Sequence, residues 1–456
     1  MGLLDKFSPG GEDGEKVAFI GIDGVPRPLI EQLIEEGRAP NLQAIADAGG
    51  LEDMNAVVPA ESSACWPAMT TGTNPGKTGV LGFQDRERDS YETYIPLGKH
   101  VQSKRVWDMV GDDGRNSLVV NVPVTFPPDE VQGVLVSGFL TPDASNSSSD
   151  PEVTNYLENL GYRIDVDASL GHEDKEEFVD DAYETLEKRK EAVLHFMENE
   201  DWSLLWNVFM TTDRMNHFLW ENYENGDELG EKFLEFYEEV DAAIGEIRDR
   251  LPDDASLIVA ADHGFCELQR EVDMNAWLRE EGLQGIEEGG DSLEDITNDT
   301  EVYSLIPGRF YINTEGREPR GTVPEDEYED VRDELAEKLQ DLEDPDGNLV
   351  VDRVVKREEV YDGNEYEMTP DLVALPNRGF DLKASFENEK PVFKKGARNG
   401  MHTFDDATLL FEPGDDQQLD PHKVSDADIM DVTPTVLDLL DIDEPEDIDG
   451  ETLLKV

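Results

Sequence analysis

The chain of 456 residues carries 107 acidic and 38 basic residues, which gives a net charge of −69 at pH 7. Proteins that bind nucleic acids need a basic footprint, so this charge excludes that class of function. No apolar run reaches the roughly 18 residues that a membrane span needs. Self-repulsion on this scale destabilises a compact fold in dilute buffer, but it is screened at about 1 M salt. Because the acidic residues are spread among well-patterned apolar segments, we expect a folded, halophilic protein of a high-salt cytoplasm.

Residues 1–15 are polar and have no long apolar stretch, so they do not resemble a secretory signal, and we predict a flexible tail. The two cysteines, Cys65 and Cys266, are too few for a disulfide framework. They are either neighbours in the fold or small buried side chains in a reducing compartment.

From residue 16 the pattern alternates between strands and helices. Strand-like apolar runs lie at 16–23, 116–124, 133–139, 202–210, 255–262 and 407–413, and amphipathic helical patterns lie at 29–37, 41–50, 174–199, 227–249 and 428–442. Continuous apolar strands separated by helices are typical of a mostly parallel sheet that is covered on both faces. We therefore predict a doubly wound α/β domain over 16–266 and 396–456.

Residues 267–395 have a different pattern. They contain an acidic, turn-rich stretch at 283–300, strand-like runs at 308–313, 347–361 and 370–376, and a helical pattern at 324–341. We predict that they form a smaller α+β insertion on the ligand side of the sheet.

Carboxylates and histidines follow three of the predicted strands. Asp23 closes the first strand, Asp213 and His217 follow the run at 202–210, and Asp262 and His263 close the run at 255–262. Ligands of open α/β sheets bind beyond the carboxyl ends of the strands. A single acid there is also explained as a helix N-cap, but caps do not require imidazole. Carboxylate oxygens and imidazole nitrogens together suit zinc or manganese.

The spacing of these residues leaves each ion short of ligands. Asp213 and His217 share one helix face at i, i+4, so both can reach one ion. His402, in the segment GMHTFDD, is the best remaining imidazole. The other histidines lie in polar loops or on helix faces, at positions 100, 172, 195 and 422.

The segment VPAESSACWPAMTTGTNPGKTGVLGF (58–83) places Ser62 and Ser63 in a turn before a helix. A hydroxyl there can be ionised by a bound metal while helix amides receive a phosphate. An ordinary helix N-cap is the alternative explanation.

Taken together, the motifs resemble the type I phosphodiesterase/nucleotide pyrophosphatase branch of the alkaline phosphatase superfamily. The segments that carry the resemblance are GIDGV, TTGTNPGKTGV, TDRMNHFLW, ADHGF and GMHTFDD. Two further segments, RVWDMVGDDGRNSLVVNVPVTFPP and DVTPTVLDLLDI, look like archaeal members, so the chain resembles a haloarchaeal-type member. The resemblance spans nearly the whole chain and implies an alkaline phosphatase-like fold.

The resemblance also implies two divalent ions, Zn or Mn, and a serine nucleophile. One ion would be held by Asp213, His217 and His402. The other would be held by Asp23, Asp262, His263 and the nucleophile hydroxyl. Counting back from the TTG segment places the nucleophile at Ser62, with Ser63 as the alternative. The implied reaction is in-line attack of Ser62 on the phosphorus of a small phosphorylated substrate, followed by hydrolysis of the enzyme intermediate.

Two departures bear on the substrate. Cys65 stands where the resemblance implies an asparagine that contacts phosphate, so another group, Lys77 or Arg214, would serve, unless those two are surface charges. The sulfatase frame C/S-x-P-x-R is absent from Ser62 onwards, so sulfatase activity is disfavoured.

We expect a hydrolase of phosphodiester or nucleotide pyrophosphate bonds. The alternatives are a phosphomonoesterase or a mutase similar to phosphoglycerate mutase, and an inactive metal-binding protein. A mutase needs clustered basic residues to rebind its phosphorylated intermediate, and 267–395 has few such clusters. The sequence does not determine the leaving group or the oligomeric state.

Overall fold

The structure, a computed structural model, describes residues 15–414 and 417–455, so the predicted tail lies outside the described residues except for its last position. Its strands are β1 (Val17–Ile22), β2 (Leu51–Met54), β3 (Asp85–Arg86), β4 (Thr93–Tyr94), β5 (Ser117–Val122), β6 (Gly133–Ser137), β7 (Leu204–Phe209), β8 (Ser256–Ala260), β9 (Gly264–Glu267), β10 (Arg270–Asp273), β11 (Val302–Leu305), β12 (Arg309–Ile312), β13 (Val351–Lys356), β14 (Leu372–Pro376), β15 (Phe380–Lys383), β16 (Phe393–Lys394), β17 (Gly400–Thr403) and β18 (Ala407–Glu412).

Its α-helices are α1 (Arg27–Glu35), α2 (Pro40–Gly49), α3 (Ser62–Thr71), α4 (Pro75–Thr78), α5 (Val106–Asp112), α6 (Pro151–Leu160), α7 (Leu170–Glu173), α8 (Lys175–Asn199), α9 (Thr211–Asn225), α10 (Glu228–Arg248), α11 (Met274–Glu280), α12 (Tyr328–Gln340), α13 (Arg357–Val360), α14 (Pro421–Val424) and α15 (Val432–Leu439).

The central sheet has seven strands in the order β2-β18-β8-β1-β7-β5-β6. The five strands from β8 to β6 run parallel, whereas β18 is antiparallel to both β8 and β2. Every residue of β1, β7 and β8 is buried, because helices cover both faces of the sheet. The predicted doubly wound, mostly parallel α/β fold is confirmed.

The register of the three central strands determines where the functional residues meet. Ile22 at the end of β1 lies beside Phe209 at the end of β7, and Gly21 lies beside Ala260 at the end of β8. Parallel strands in this register end at one edge of the sheet. The segments that follow them, which carry the predicted ligands, therefore leave the sheet side by side.

A second group of strands lies between β9 and β17. It includes a four-stranded antiparallel sheet, β11-β12-β14-β13, and a three-stranded sheet, β15-β10-β16. Helix α12 contributes Leu335 to a hydrophobic cluster with Phe310 and Leu372 that is distinct from the main core. The division of the chain into a catalytic domain and an insertion at 267–395 remains a prediction.

Buried ion pairs join this second group of strands to the segment around β3. Arg309 of β12 pairs with Asp85 at 2.5 Å, and Arg86 pairs with Glu318 at 3.2 Å. All four side chains are almost entirely buried. Because removal of one partner would leave an uncompensated buried charge, these pairs fix the segment that also carries Phe83.

Candidate active site

Three residues at the ends of β1 and β8 form a first ligand group: Asp23, Asp262 and His263. All three are fully buried, and their potential ligand atoms lie within 4.8 Å of one another. The backbone N–H of Gly24 donates to Asp262 Oδ1 at 3.1 Å and orients that carboxylate. Its second oxygen, Oδ2, has no hydrogen-bond donor among the described residues.

Ser62 lies beside the first ligand group as the first residue of α3. Its Oγ is 3.2 Å from Asp23 Oδ1 and 3.1 Å from His263 Nε2. The indole N–H of Trp66, one helical turn further on, donates to Asp23 Oδ2 at 2.7 Å. The hydroxyl is thus held between a carboxylate and an imidazole, which is an arrangement that suits an activated nucleophile.

The second ligand group consists of Asp213, His217 and His402. Asp213 Oδ1 lies 3.4 Å from His217 Nε2 and 3.3 Å from His402 Nε2, and the two Nε2 atoms are 3.1 Å apart. Asp213 and His217 are one turn apart on α9, whereas His402 comes from β17. Three potential ligand atoms therefore converge on one point from two distant parts of the chain.

The two ligand groups share a border. The rings of His263 and His402 stack with centroids 3.9 Å apart. Gly24 lies between the groups with a φ of +66°, and a Cβ there would be 3.1 Å from His263 Cε1 and 3.3 Å from Asp213 Oδ1. Glycine is needed here both for its backbone conformation and because a side chain would fill the space between the groups.

The three imidazoles of the ligand groups are oriented alike. Each Nδ1 lies 3.0–3.3 Å from a backbone carbonyl oxygen: Gly400 for His217, Gly264 for His263 and Ala60 for His402. When Nδ1 donates its proton to that carbonyl, Nε2 presents a lone pair to the site. Histidines that bind metals are typically fixed in this way.

The pKa values follow from burial and charge. Burial lowers the pKa of His217 well below its usual value and that of His402 to about 4, so both are neutral at pH 7. Burial, reinforced by neighbouring carboxylates, raises the pKa of Asp23 and of Asp262. Burial also opposes ionisation of Asp213, but His217, His402 and Arg214 outweigh it and lower its pKa.

The residues fit two divalent ions. Asp213 Oδ1 and Asp262 Oδ2, one in each ligand group, are buried acceptors without a hydrogen-bond donor among the described residues. Burial of such an atom costs free energy unless a hydrogen-bond donor or a cation interacts with it. Neutral Nε2 atoms and unpartnered carboxylate oxygens are the donor set that Zn²⁺ or Mn²⁺ prefers. The assignment of all seven side chains as ligands or nucleophile remains a prediction, although the structure brings them together.

The site opens into a cavity of about 1020 Å³. Ser62 and the side chains of the second ligand group line its floor. Its walls come from the main sheet's loops and from β13, β14 and β15. The apolar part of the lining includes Phe83, Pro123, Phe139, Met210, Ile306 and Pro307.

Other residues that the sequence suggested have different surroundings. Cys65 is fully buried in the main core and does not line the cavity, whereas Cys266 is partly exposed, and both are free thiols. Lys77 pairs with Asp449 away from the cavity. Arg214 lines the cavity, but Asp165 accepts two hydrogen bonds from it at 3.0 and 2.9 Å.

Sequence reasoning missed Trp66, Gly24 and the carbonyl acceptors of the histidines. The spacing of Trp66, four residues after Ser62, was the one available signal, because it places both on the same face of α3.

Comparison with solved structures shows an alkaline phosphatase-like fold. Phosphonoacetate hydrolase from Sinorhizobium meliloti 1021, in complex with phosphonoformate, is 15% identical, with a TM-score of 0.64 over 94% of this chain and 95% of that chain. Alkaline phosphatase PafA is 13% identical, with a TM-score of 0.62 over 98% and 99% of the two chains. Murine ectonucleotide pyrophosphatase/phosphodiesterase 5 is 14% identical, with a TM-score of 0.57 over 97% and 100%.

The family model of type I phosphodiesterase/nucleotide pyrophosphatase matches residues 17–405. The chain therefore belongs to the type I phosphodiesterase/nucleotide pyrophosphatase family, which confirms the resemblance of its motifs. A search of curated protein sequences finds no match. Family and fold together indicate a phosphoesterase-type hydrolase, and the two ligand groups are candidate metal sites. Within the described residues, every helix is too short or too polar to cross a bilayer.

Proposed function

We propose that this protein is a two-metal phosphodiesterase that uses Ser62 as its nucleophile. The observation that supports it most directly is the position of Ser62 Oγ, 3.1 Å from His263 Nε2 and 3.2 Å from Asp23 Oδ1, at the border of two three-residue ligand groups. Seven side chains from distant parts of the chain meet at one edge of the sheet. A helix cap alone requires no such convergence.

In this proposal Asp213, His217 and His402 would hold one divalent ion, and Asp23, Asp262 and His263 would hold the other. Such ions would lower the pKa of the Ser62 hydroxyl and stabilise charge on the phosphate oxygens. Ser62 Oγ loses its proton and attacks phosphorus in line, so that a new Oγ–P bond forms and the bond to the leaving oxygen breaks. The leaving group departs as its anion or takes up a proton from solvent. Asp23 and His263 position Oγ for this step. Water then cleaves the Oγ–P bond and returns the serine hydroxyl.

The shape and charge of the cavity favour diesters over monoesters. A volume of about 1020 Å³ leaves space for a substituent on each side of the phosphate. Glu61, next to Ser62, also lines the cavity, and its Oε2 has no hydrogen-bond donor among the described residues. Burial raises the pKa of Glu61 to about 7, so this side chain carries its full negative charge only above neutral pH. When ionised, it repels the dianion of a monoester more than the monoanion of a diester.

Two solved neighbours support a small phosphorus-containing substrate. The Sinorhizobium meliloti enzyme was solved with phosphonoacetate, and an inactive variant of the murine enzyme was solved with AMP. Both ligands are small anions with one phosphorus centre.

The direct test compares bis-p-nitrophenyl phosphate with p-nitrophenyl phosphate in molar KCl with Zn²⁺ or Mn²⁺. We expect the diester to be preferred and a chelator to abolish turnover, with recovery when the metal is restored. Preference for the monoester would shift the assignment to a phosphatase or mutase. Absence of turnover with either ester and either metal would favour a metal-binding protein.

A further inference from the structure

Two arginines in the wall of the cavity have no acceptor. Among the described residues, the side chains of Arg353 and Arg398 form neither a hydrogen bond nor an ion pair, although both residues line the cavity. The remaining cationic side chains of the cavity are neutralised: Arg214 by Asp165, Arg378 by Asp405 and Asp406, and Lys383 by Asp381.

Unpaired arginines stand out in this chain because it has 107 acidic residues and 38 basic ones. Carboxylates are available almost everywhere on the surface to neutralise a guanidinium. Arg398 is half-buried and Arg353 is exposed at the rim of the cavity, and neither has such a partner among the described residues. A guanidinium whose donors remain free inside a cavity is suited to bind an oxyanion of a ligand.

Both arginines lie on the side of the second ligand group. Arg398 directly precedes Asn399, whose backbone N–H donates to the carbonyl oxygen of His217 at 2.8 Å. The guanidinium of Arg353 lies 5.4 Å from the ring centroid of Phe404, two residues beyond His402. Both arginines thus neighbour residues that contact or closely follow the histidines of the second ligand group.

The geometry of an in-line displacement indicates which part of the substrate would lie beside these two arginines. The nucleophile is held at the first ligand group, so the leaving group departs on the opposite side of phosphorus, toward the second ligand group. Glu61, whose Oε2 has no hydrogen-bond donor among the described residues, lies on the nucleophile side, next to Ser62. Three other acidic residues of the lining already have cationic partners: Asp381 pairs with Lys383, Asp405 with Arg378 and Glu271 with Lys394. Apart from the exposed Asp352 and the ligand Asp213, the acids of this wall therefore leave Arg353 and Arg398 unneutralised.

We propose that Arg398, assisted by Arg353, binds a second oxyanion, a carboxylate or a phosphate, on the leaving group of the ester. This inference rests on the proposed phosphodiesterase function. It assigns the substrate to esters whose leaving group is itself anionic, and it makes Arg398 a determinant of specificity.

The test uses three esters that differ at one position: methyl 4-carboxyphenyl, methyl 4-phosphonophenyl and methyl 4-carbamoylphenyl phosphate. The carbamoyl ester is the neutral counterpart of nearly equal size. We expect the metal-loaded wild-type protein to favour one or both anionic esters by roughly tenfold or more in kcat/KM, as a charge-assisted hydrogen bond implies. The larger of the two preferences identifies the oxyanion.

Variants then assign the preference to the arginines. We expect Arg398→Gln to reduce the anionic-to-neutral ratio to near one, Arg398→Lys to retain part of it, and Arg353→Gln to reduce it less. Arg250→Gln removes the same charge from the surface, where Arg250 pairs with Glu198, and should leave the ratio unchanged. Hydrolysis of the neutral ester by each variant shows that the variant is folded.

Two outcomes overturn the inference in different ways. If the wild type hydrolyses the neutral ester equally well, or Arg398→Gln keeps the preference, the leaving-group assignment is wrong while the phosphodiesterase function stands. If the metal-loaded wild type hydrolyses none of the three esters nor bis-p-nitrophenyl phosphate, the proposed function itself fails, and the leaving-group assignment fails with it.

Discussion

At the scale of single residues, the adjacent Ser62 and Ser63 give the sharpest test of the nucleophile. Both are buried, but within the described part of the chain only the Ser62 hydroxyl contacts Asp23 and His263. We expect Ser62→Ala to lower turnover of bis-p-nitrophenyl phosphate by at least about 1,000-fold and to abolish a phosphoenzyme trapped by acid quench. Ser63→Ala is the control and should retain both. Loss of the phosphoenzyme in Ser63→Ala alone would move the nucleophile to that residue.

Substitution of Trp66 tests whether the orientation of Asp23 affects metal binding, because it leaves Asp23 itself unchanged. Its indole N–H donates to Asp23 Oδ2, so Trp66→Phe should weaken Zn²⁺ affinity roughly 10–100-fold, as for other groups that orient metal ligands. Trp206→Phe is the matched control, because Trp206 is also buried but its Nε1 has no acceptor among the described residues. Activity titrated with Zn²⁺ measures the effect. Equal Zn²⁺ affinities of the two variants would contradict an orienting role.

Asp428 should make stability depend on pH. Burial, followed by the charge of Asp431, raises its pKa to about 7. A carboxyl group whose pKa is raised in the folded state lowers the free energy of unfolding as the pH rises. The loss begins near the pKa of the group in the unfolded chain, about 4, and is complete above its pKa in the folded protein. Asp428→Asn keeps the acceptor for the Met430 N–H but not the charge. It should therefore stabilise the protein at pH 8 relative to pH 5 by roughly 1–3 kcal/mol.

Denaturant unfolding at the two pH values measures this difference. Asp150→Asn is the control, since Asp150 caps α6 in the same way but is exposed. A similar change in both variants, or none in Asp428→Asn, would show that burial of this carboxyl group has no effect on stability.

At the scale of elements, the position of β17 against α9 sets the second ligand group. A Cβ on Gly400 would collide with the backbone carbonyl of Asn216 and with the ring of Phe265. Gly400→Ala should therefore push β17, and with it His402, away from His217. We expect a loss of Zn²⁺-dependent activity of at least about tenfold, together with a lower Tm.

Gly111→Ala in α5 is the control for that substitution. Its Cβ would meet only the Cβ of Gln132, at 3.4 Å, and alanine in a helix stabilises by about 0.5–1 kcal/mol relative to glycine. This variant should keep full activity. An active Gly400→Ala variant with an unchanged Tm would show that β17 tolerates the shift.

The elements also explain which parts of the site could be predicted. Asp23, Asp213 and Asp262 were visible because apolar strands in a parallel sheet end at one edge, so an acid after each strand has a known destination. His402 could be included only as the best remaining imidazole, because β17 pairs with β9 outside the central sheet. Nothing local in the sequence indicates that pairing.

The start of α3 shows a finer limit of sequence reasoning. The sequence placed Ser62 in a turn before a helix, whereas the helix begins at Ser62 and Glu61 is its N-cap residue. Glu61 forms no side-chain cap hydrogen bond, so the usual capping signal is absent. The hydroxyl position therefore depends on contacts with Asp23 and His263, which only the tertiary structure supplies.

At the scale of the whole molecule, the cavity depends on residues that the sequence keeps far apart. Residues 267–395 showed few clustered basic residues along the chain, yet Arg353, Arg378 and Lys383 from that range all line the cavity. Strands β13, β14 and β15, which belong to the second group of strands, bring these three side chains together. Charge patterns along a chain therefore do not show which basic side chains meet in a cavity that separate strands build.

The net charge of −69 leads to a prediction for the molecule as a whole. Most ion pairs lie at the surface and contribute little each, so they do not offset the mutual repulsion of unpaired carboxylates. KCl at about 1 M shortens the Debye length to about 3 Å, less than the usual spacing of surface charges. We expect Tm to rise by several degrees between 0.1 and 3 M KCl, at about 2 °C for each kcal/mol of repulsion relieved. In 0.1 M KCl, lowering the pH from 8 to 5 should raise Tm too, because protonation removes part of the same charge. A Tm that is independent of KCl would mean that the fold tolerates its own charge, and the inference of a high-salt environment would lose its physical basis.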